Sequence, residues 1–474
     1  MANRIVRIES ITIENYKNVT QGTLDFENKR KDYKASVLGL YGQNGSGKTA
    51  LIDAIQLLKF ALCGKAIPKK YADYINVDAE NATLKYEFVV QYAEITYNVW
   101  YQFSMRKVID ESATGSDETT NANVTTKVEM FDEILSFSYE SETDKMRKAS
   151  LIDTRTDELF APKAKMQELV GDDKEKYMDL LVTKRLTKAT SRSFVFSREL
   201  INQYRQNCKN ELYMKVIEGL YTFGNRELFI IETESIGLIS LNTLPLTFKY
   251  RHGVSETYGS LLLSLNGPTL IPEDMYGVVE NVIANMNIVL EQLVPGLRIG
   301  VVDLGSTMTK DGKIAKQIQL MSLKNNKQIP FCYESEGIKK IVSVLQLLIV
   351  VYNNPSVTVA IDELDGGVFE YLLGEMLNII SEKGKGQLIF TSHNLRPLET
   401  IDKGFIAFTT TNPKMRYIRL TNVKGTNNLR DFYYRDIVLG EQSEQVYNPT
   451  NNFEIALAFR EAGEAFGSSF IYPT

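Results

Sequence analysis

The chain has 474 residues, 43% hydrophobic and 24% charged, with a formal net charge of -5. Such a composition suits a globular protein of two or three domains and lacks the basic excess of a constitutive nucleic-acid binder. Three scattered cysteines (Cys63, Cys208, Cys332) and two histidines (His252, His393) argue against a structural zinc site and a disulfide framework. The first residues read as a strand rather than a signal peptide. The longest apolar run, 341–352, is shorter than the roughly 20 residues of a membrane span. A cytoplasmic protein with no membrane contact is expected.

Residues 5–13 alternate as a strand, and 16–26 read as a turn and a second strand. Residues 37–41 are an apolar strand leading into Gly42-Gln43-Asn44-Gly45-Ser46-Gly47-Lys48-Thr49, and a helix-like run follows from Ala50 to residue 60. This is a complete G-x-x-x-x-G-K-[ST] loop in its strand–loop–helix context. Glycines let successive N–H groups turn inward on phosphate oxygens, and the helix start adds a positive dipole end. Residues 42–50 are therefore candidate nucleotide ligands. Lys48 is expected to reach the β- and γ-phosphates, and the Thr49 hydroxyl to hold Mg²⁺.

Residues 84–105 alternate as a strand pair, and 110–126 are a polar loop at a hairpin tip. The charged stretch 157–221 reads as two or three helices, 237–250 as strand and 272–293 as an amphipathic helix. Residues 297–331 form a strand meander with turns at 310–312 and 324–326. Ser335 and Gly337 open a long apolar helix over 341–353, a helix start suited to a second anion. Residues 357–363 are a buried strand ending in Asp362, placed to orient Mg²⁺, and Glu363, a candidate general base. A further apolar strand, 387–394, carries His393 at its end as a candidate γ-phosphate sensor. Two helices, 429–439 and 451–466, close the chain. Phe453, Ile455, Ala456, Leu457, Phe459 and Ala462 give the second an apolar face, for which core packing is expected ahead of a partner-binding role.

In this order, the phosphate loop with Asn44, Ser335-x-Gly337-x-Lys339, Asp362-Glu363 with Asp365, and His393 resemble the ABC-type ATPase head of the SMC, RecF and OLD class. The phrases LGLYGQNGSGKTALIDAIQLLK and LIFTSHNLRPLE look most like bacterial ATPases of anti-phage systems, including those of the PARIS and AbiL type. The likeness spans about residues 1–105 and 295–425. It implies an α/β fold, a P-loop ATPase head with a mixed sheet, flanking helices and an antiparallel β-subdomain. An inserted helical subdomain would interrupt it. The implied division is an N-terminal lobe 1–105, an insert 106–294, a C-terminal lobe 295–430 and a helical tail 431–474.

The resemblance also implies ATP and Mg²⁺ as cofactors and a head-to-head homodimer. Ser335 and Gly337 would contact the γ-phosphate across that interface, with Asp365 as the D-loop residue. Glu336 and Ile338 depart from transporter signatures, and no heptad run is long enough for coiled-coil arms. Gln91 or Gln102 is the candidate Q-loop glutamine. Too few residues follow His393 for a Toprim nuclease domain, so any cleavage would belong to a separate protein. Two functions stay open. One is a defence ATPase controlling an effector docked on about residues 150–235. The other is a DNA-binding repair ATPase, with Lys184, Arg185, Lys188, Arg192, Arg198 and Arg205 as the candidate groove. A nuclease or toxin within the insert is disfavoured, for want of an H-N-H motif, PD-(D/E)xK spacing and enough histidines.

Overall fold

The computed structural model describes residues 4–27, 36–93, 95–110, 125–252, 255–309, 311–325, 327–421, 428–440 and 442–467. An antiparallel sheet opens the chain. Its strands are β1 (Arg4–Tyr16), β2 (Val19–Asp25), β4 (Asn81–Tyr92), β5 (Ile95–Ile109), β6 (Thr126–Ser141) and β7 (Lys145–Asp153), in the order β2-β1-β4-β5-β6-β7. Its period-two pattern has a direct consequence: Ala82, Leu84, Tyr86, Phe88 and Val90 of β4 all point into one core. The hairpin loop expected at 110–126 lies outside the described residues over 111–124. At its base Ile109 pairs with Thr126.

Between these strands, β3 (Ser36–Tyr41) leads through the glycine loop into α1 (Lys48–Leu62). The charged stretch that follows forms four helices rather than two or three: α2 (Lys163–Val170), α3 (Lys174–Ala189), α4 (Arg198–Asn207) and α5 (Glu211–Arg226). Asp173, Ser197 and Asn210 each accept a backbone N–H at the start of a new helix, so these caps set the breaks. The helices bury Leu180, Leu200, Ile201, Tyr204, Ile217 and Phe223 in the core that α1 shares with the antiparallel sheet.

The next elements are β8 (Leu228–Ile231), α6 (Thr233–Ser240), β9 (Thr243–His252), β10 (Ser255–Ser264), β11 (Thr269–Pro272), α7 (Glu273–Leu293), β12 (Leu297–Met308), β13 (Ile314–Lys324), β14 (Lys327–Pro330) and α8 (Glu336–Asn353). The strand expected over 237–250 is thus helical up to Ser240. Of the meander turns, residues 310 and 326 lie outside the described set. The remaining elements are β15 (Thr358–Ile361), α9 (Glu370–Lys383), β16 (Gln387–Thr391), α10 (Pro397–Thr400), β17 (Ile406–Thr409), β18 (Tyr417–Ile418), α11 (Leu429–Leu439) and α12 (Asn452–Gly467).

A second sheet runs β8-β15-β16-β3-β17-β18, parallel except at β18. Parallel strands are covered on both faces. Leu38, Leu40, Ala360 and Ile389 pack toward α1 and the antiparallel sheet. Val37, Tyr41, Val359, Ile361, Leu388 and Phe390 pack toward α8 and α9. A third core gathers α7, the start of α8 and strands β9 to β13.

The mixed α/β architecture is the expected one, but the boundaries expected at 105 and 294 do not follow the sheets. Within 106–294, β6 and β7 complete the antiparallel sheet, and β8 pairs with β15, Leu228 beside Thr358. The tail also differs from expectation. Side chains 452–463 of α12 are all exposed, with Phe453 at 76% and Phe459 at 77%, so this apolar face is not core. No described helix is long and apolar enough to cross a membrane.

Candidate nucleotide site

The glycine loop sits where β3 ends and α1 begins, at the carboxyl edge of the parallel sheet. Open parallel sheets place ligands at this edge. Gly42, Gly45 and Gly47 take φ values of 152°, 73° and 97°. At Gly42 a Cβ would lie 1.7 Å from Thr409 Oγ1, so the curl of the loop against β17 requires glycine. Side chains hold two of the loop carbonyls. The Tyr417 hydroxyl donates to the Gly47 carbonyl at 2.9 Å, and Asn18 Nδ2 donates to that of Gly45.

A cavity of about 250 Å³ lies over the loop. It is lined by Asn44, Gly45, Gly47, Lys48, Thr49 and Ala50, with Asp362, Glu363 and His393 from the ends of β15 and β16 and Lys17 and Asn18 from the β1–β2 turn. Lys48 Nζ folds back onto the Gly42 and Gln43 carbonyls at 2.8 and 3.0 Å. Burial pulls its pKa down, opposed by Asp362, Glu363 and Asp365. A lysine partly desolvated and facing three carboxylates is primed for a polyanion.

Asp362 is 1% exposed. Its Oδ2 accepts from Thr233 Oγ1 at 2.6 Å and its Oδ1 from Thr391 Oγ1. Thr391 Oγ1 in turn accepts the Glu363 N–H at 2.8 Å. These hydroxyls hold the carboxylate in the way outer-shell partners orient a cation ligand. Glu363 has φ of 47°, a left-handed conformation for a side-chain-bearing residue, and it lines the cavity. Backbone strain of this kind gathers where geometry matters for function. The exposed Thr49 side chain, Asp362 and Lys48 together form a donor set suited to a triphosphate and one hard cation.

The remaining predicted residues lie elsewhere. Gln43 accepts the Asn448 N–H through Oε1 at 3.0 Å, and Ser46 Oγ bonds Thr409 Oγ1. Ser335 caps α8, accepting the Ile338 N–H at 3.3 Å, and does not line the cavity. Gly337 abuts the loop after β15, where a Cβ would sit 2.2 Å from the Gly367 carbonyl oxygen. Asp365 Oδ2 accepts the N–H groups of His393 and Asn394 of its own chain at 3.1 and 2.9 Å. Gln91 and Gln102 sit in β4 and β5, and neither lines the cavity.

Sequence reasoning missed Lys17, Asn18, Thr233 and Thr391, which carry no motif and reach the site only through the fold. It also missed Lys340, 1% exposed on α8. Among the described residues its Nζ has no hydrogen-bond partner, and neither does Asp365 Oδ1. Burial pushes the Lys340 pKa down to about 8, against the pull of Asp365, Glu363 and Asp362.

Three of the six residues of the candidate DNA groove are committed internally. Lys184 Nζ donates to the carbonyls of Thr154, Thr156 and Glu158 at 3.0, 2.7 and 2.6 Å. Lys188 pairs with Glu129 at 3.4 Å, and Arg205 pairs with Glu218. Arg185, Arg192 and Arg198 stay exposed.

Loop, sheet and carboxylates form a site of the P-loop type. A family model described as an AAA domain matches residues 10–219, less than half the chain. Several solved structures are similar. The SMC head bound to the C-winged helix domain of ScpA is 10% identical, with a TM-score of 0.42, over 88% of this chain and 98% of that one. The SMC head domain from Thermotoga maritima is 13% identical, with a TM-score of 0.35, over 87% and 99%. The recombination mediator protein RecF-ATPrS in the RecFOR pathway is 11% identical, with a TM-score of 0.34, over 88% and 98%. At such identities and scores the likeness carries no functional argument. No curated protein matches the chain.

Proposed function

We propose that this protein hydrolyses ATP at the cavity over residues 42–50, that a second copy completes the site, and that the cycle controls a separate effector protein. One observation carries the reading. Lys48, Thr49, Asp362, Glu363 and His393 converge on one cavity, while Ser335 and Gly337 of the same chain stay outside it. Bound Mg²⁺·ATP supplies the phosphoanhydride and a cation to balance its charge. Lys48 exchanges two carbonyls for phosphate oxygens. Thr49 and Asp362 hold the cation, Glu363 takes the proton of the attacking water, and His393 registers the γ-phosphate. Ser335 and Gly337 of a second copy contribute from across the interface.

The test is ATP turnover per chain as a function of protein concentration. Turnover should rise with concentration and vanish in Lys48→Ala together with nucleotide binding. Turnover independent of dilution by a monomer, or full nucleotide affinity in that variant, would overturn the reading.

The effector is proposed to be a Toprim or other nuclease of an anti-phage system, on the strength of the resemblance. Two facts favour a protein partner over bare DNA: the net charge of -5, and the internal pairing of Lys184, Lys188 and Arg205. A DNA-binding ATPase is the second reading, for which the exposed Arg185, Arg192 and Arg198 remain. DNA affinity falling steeply with salt would select it.

A further inference from the structure

A buried ammonium without a partner costs several kcal/mol, and replacing such a group with an apolar side chain often stabilises a protein. Lys340 is such a group, 1% exposed with no hydrogen-bond partner among the described residues. It lies one helical turn beyond Gly337, the point where α8 touches the loop after β15 at Gly367. That same loop carries Asp365, two residues before Gly367. Asp365 spends Oδ2 on the N–H groups of His393 and Asn394, and its Oδ1 is buried and uncommitted. An uncommitted cation and an uncommitted carboxylate oxygen thus belong to two elements already in backbone contact. On the far side of the carboxylate is the loop that carries His393.

We propose that Lys340 is a positioning residue that ties the start of α8 to the Asp365–His393 loop, so that displacement of the helix bearing Ser335 is transmitted to His393. The tie acts through charge in a low-dielectric interior, where attraction reaches beyond hydrogen-bond distance. A small movement of α8 toward the loop lets Lys340 Nζ donate to Asp365 Oδ1. The carboxylate then draws the N–H groups of His393 and Asn394 with it. The cost of burying Lys340 is accepted because the group acts when the helix moves.

This inference rests on the reading of the cavity as an ATPase site, so its test has an arm that needs no turnover. Lys340→Met, Lys340→Arg and Asp365→Asn are compared with wild type by melting temperature, affinity for a fluorescent ATP analogue, steady-state kcat and KM, and hydrogen exchange. Lys340→Met should melt no lower than wild type, bind the analogue within about twofold, and lose about tenfold in kcat. Amides of residues 391–396 should exchange faster while other core amides do not change. Lys340→Arg should recover most of the kcat. Adding Asp365→Asn to Lys340→Met should cost nothing beyond the worse single variant, as for two residues acting as one unit.

Wild-type kcat in Lys340→Met, losses that multiply in the double variant, or unchanged exchange over 391–396 would overturn the tie. If Lys340→Met does not fold, the lysine is structural and the proposal fails on that ground. If wild type shows no turnover, the ATPase reading fails, and the exchange measurement still decides the tie.

Discussion

Replacing Gly337 by alanine probes the contact that brings the start of α8 against the loop after β15. An added Cβ would lie 2.2 Å from the Gly367 carbonyl oxygen and 3.3 Å from its carbon. That is about 1 Å inside an ordinary contact, and the obstacle is backbone, which cannot rotate away as a side chain does. Gly367 is itself held at φ of 76°, so its loop has little freedom to adjust. Overpacking of this kind costs about 1–3 kcal/mol, against at most about 1 kcal/mol gained from alanine's helix propensity. The net loss should lower the melting temperature by a few degrees. It should also reduce ATP turnover more than nucleotide affinity, because the phosphate loop is untouched. Gly277→Ala in α7 is the control. No atom lies within 4 Å of its added Cβ, so propensity alone operates and the protein should gain stability. Thermal unfolding of the two variants side by side tests the reasoning. Equal stabilisation by both would show that α8 and the Gly367 loop do not touch.

Glu363→Gln should retain nucleotide binding and lower kcat by about a hundredfold or more, measured by phosphate release under saturating ATP. Lys340 makes stability depend on pH. Its pKa in the fold, about 8, lies below the usual 10.5, so the penalty of burying the cation is complete below pH 8 and fades as pH rises toward 10.5. The stability gained by Lys340→Met should therefore be widest near pH 7, about 3 kcal/mol, and shrink by pH 9.5, as denaturant titrations at the two pH values would show. Ending the chain before Asn452 removes a helix whose side chains over 452–463 are all exposed. The melting temperature should change by less than about 1 °C, and a larger drop would mean that α12 is covered in solution.

The phosphate loop, Asp362, Glu363 and His393 were legible before any fold, because each stands where an apolar strand stops. Phosphate chemistry restricts which residue types can occupy the loop. The amphipathic helix α7 and the alternating strands β4 and β5 were legible through periodicity. The breaks among α2 to α5 were not, since caps such as Asp173 and Asn210 are indistinguishable from solvated polar residues in a highly charged stretch. Nor was the pairing of β8 with β15, a contact between strands about 130 residues apart that local pattern cannot encode.

Tertiary structure alone decided which neighbours complete the site. Thr233 and Thr391 reach the carboxylates because β8 and β16 end at the same sheet edge as β15, and Lys17 and Asn18 reach the loop from the β1–β2 turn of the other sheet. It also decided the fate of two groups whose local sequence is uninformative. The apolar face of α12 resembles a core helix in pattern yet is exposed, and Lys340 resembles a surface lysine yet is buried with no hydrogen-bond partner among the described residues. Sequence carries residue chemistry and local period; burial and charge pairing arise only when distant segments meet.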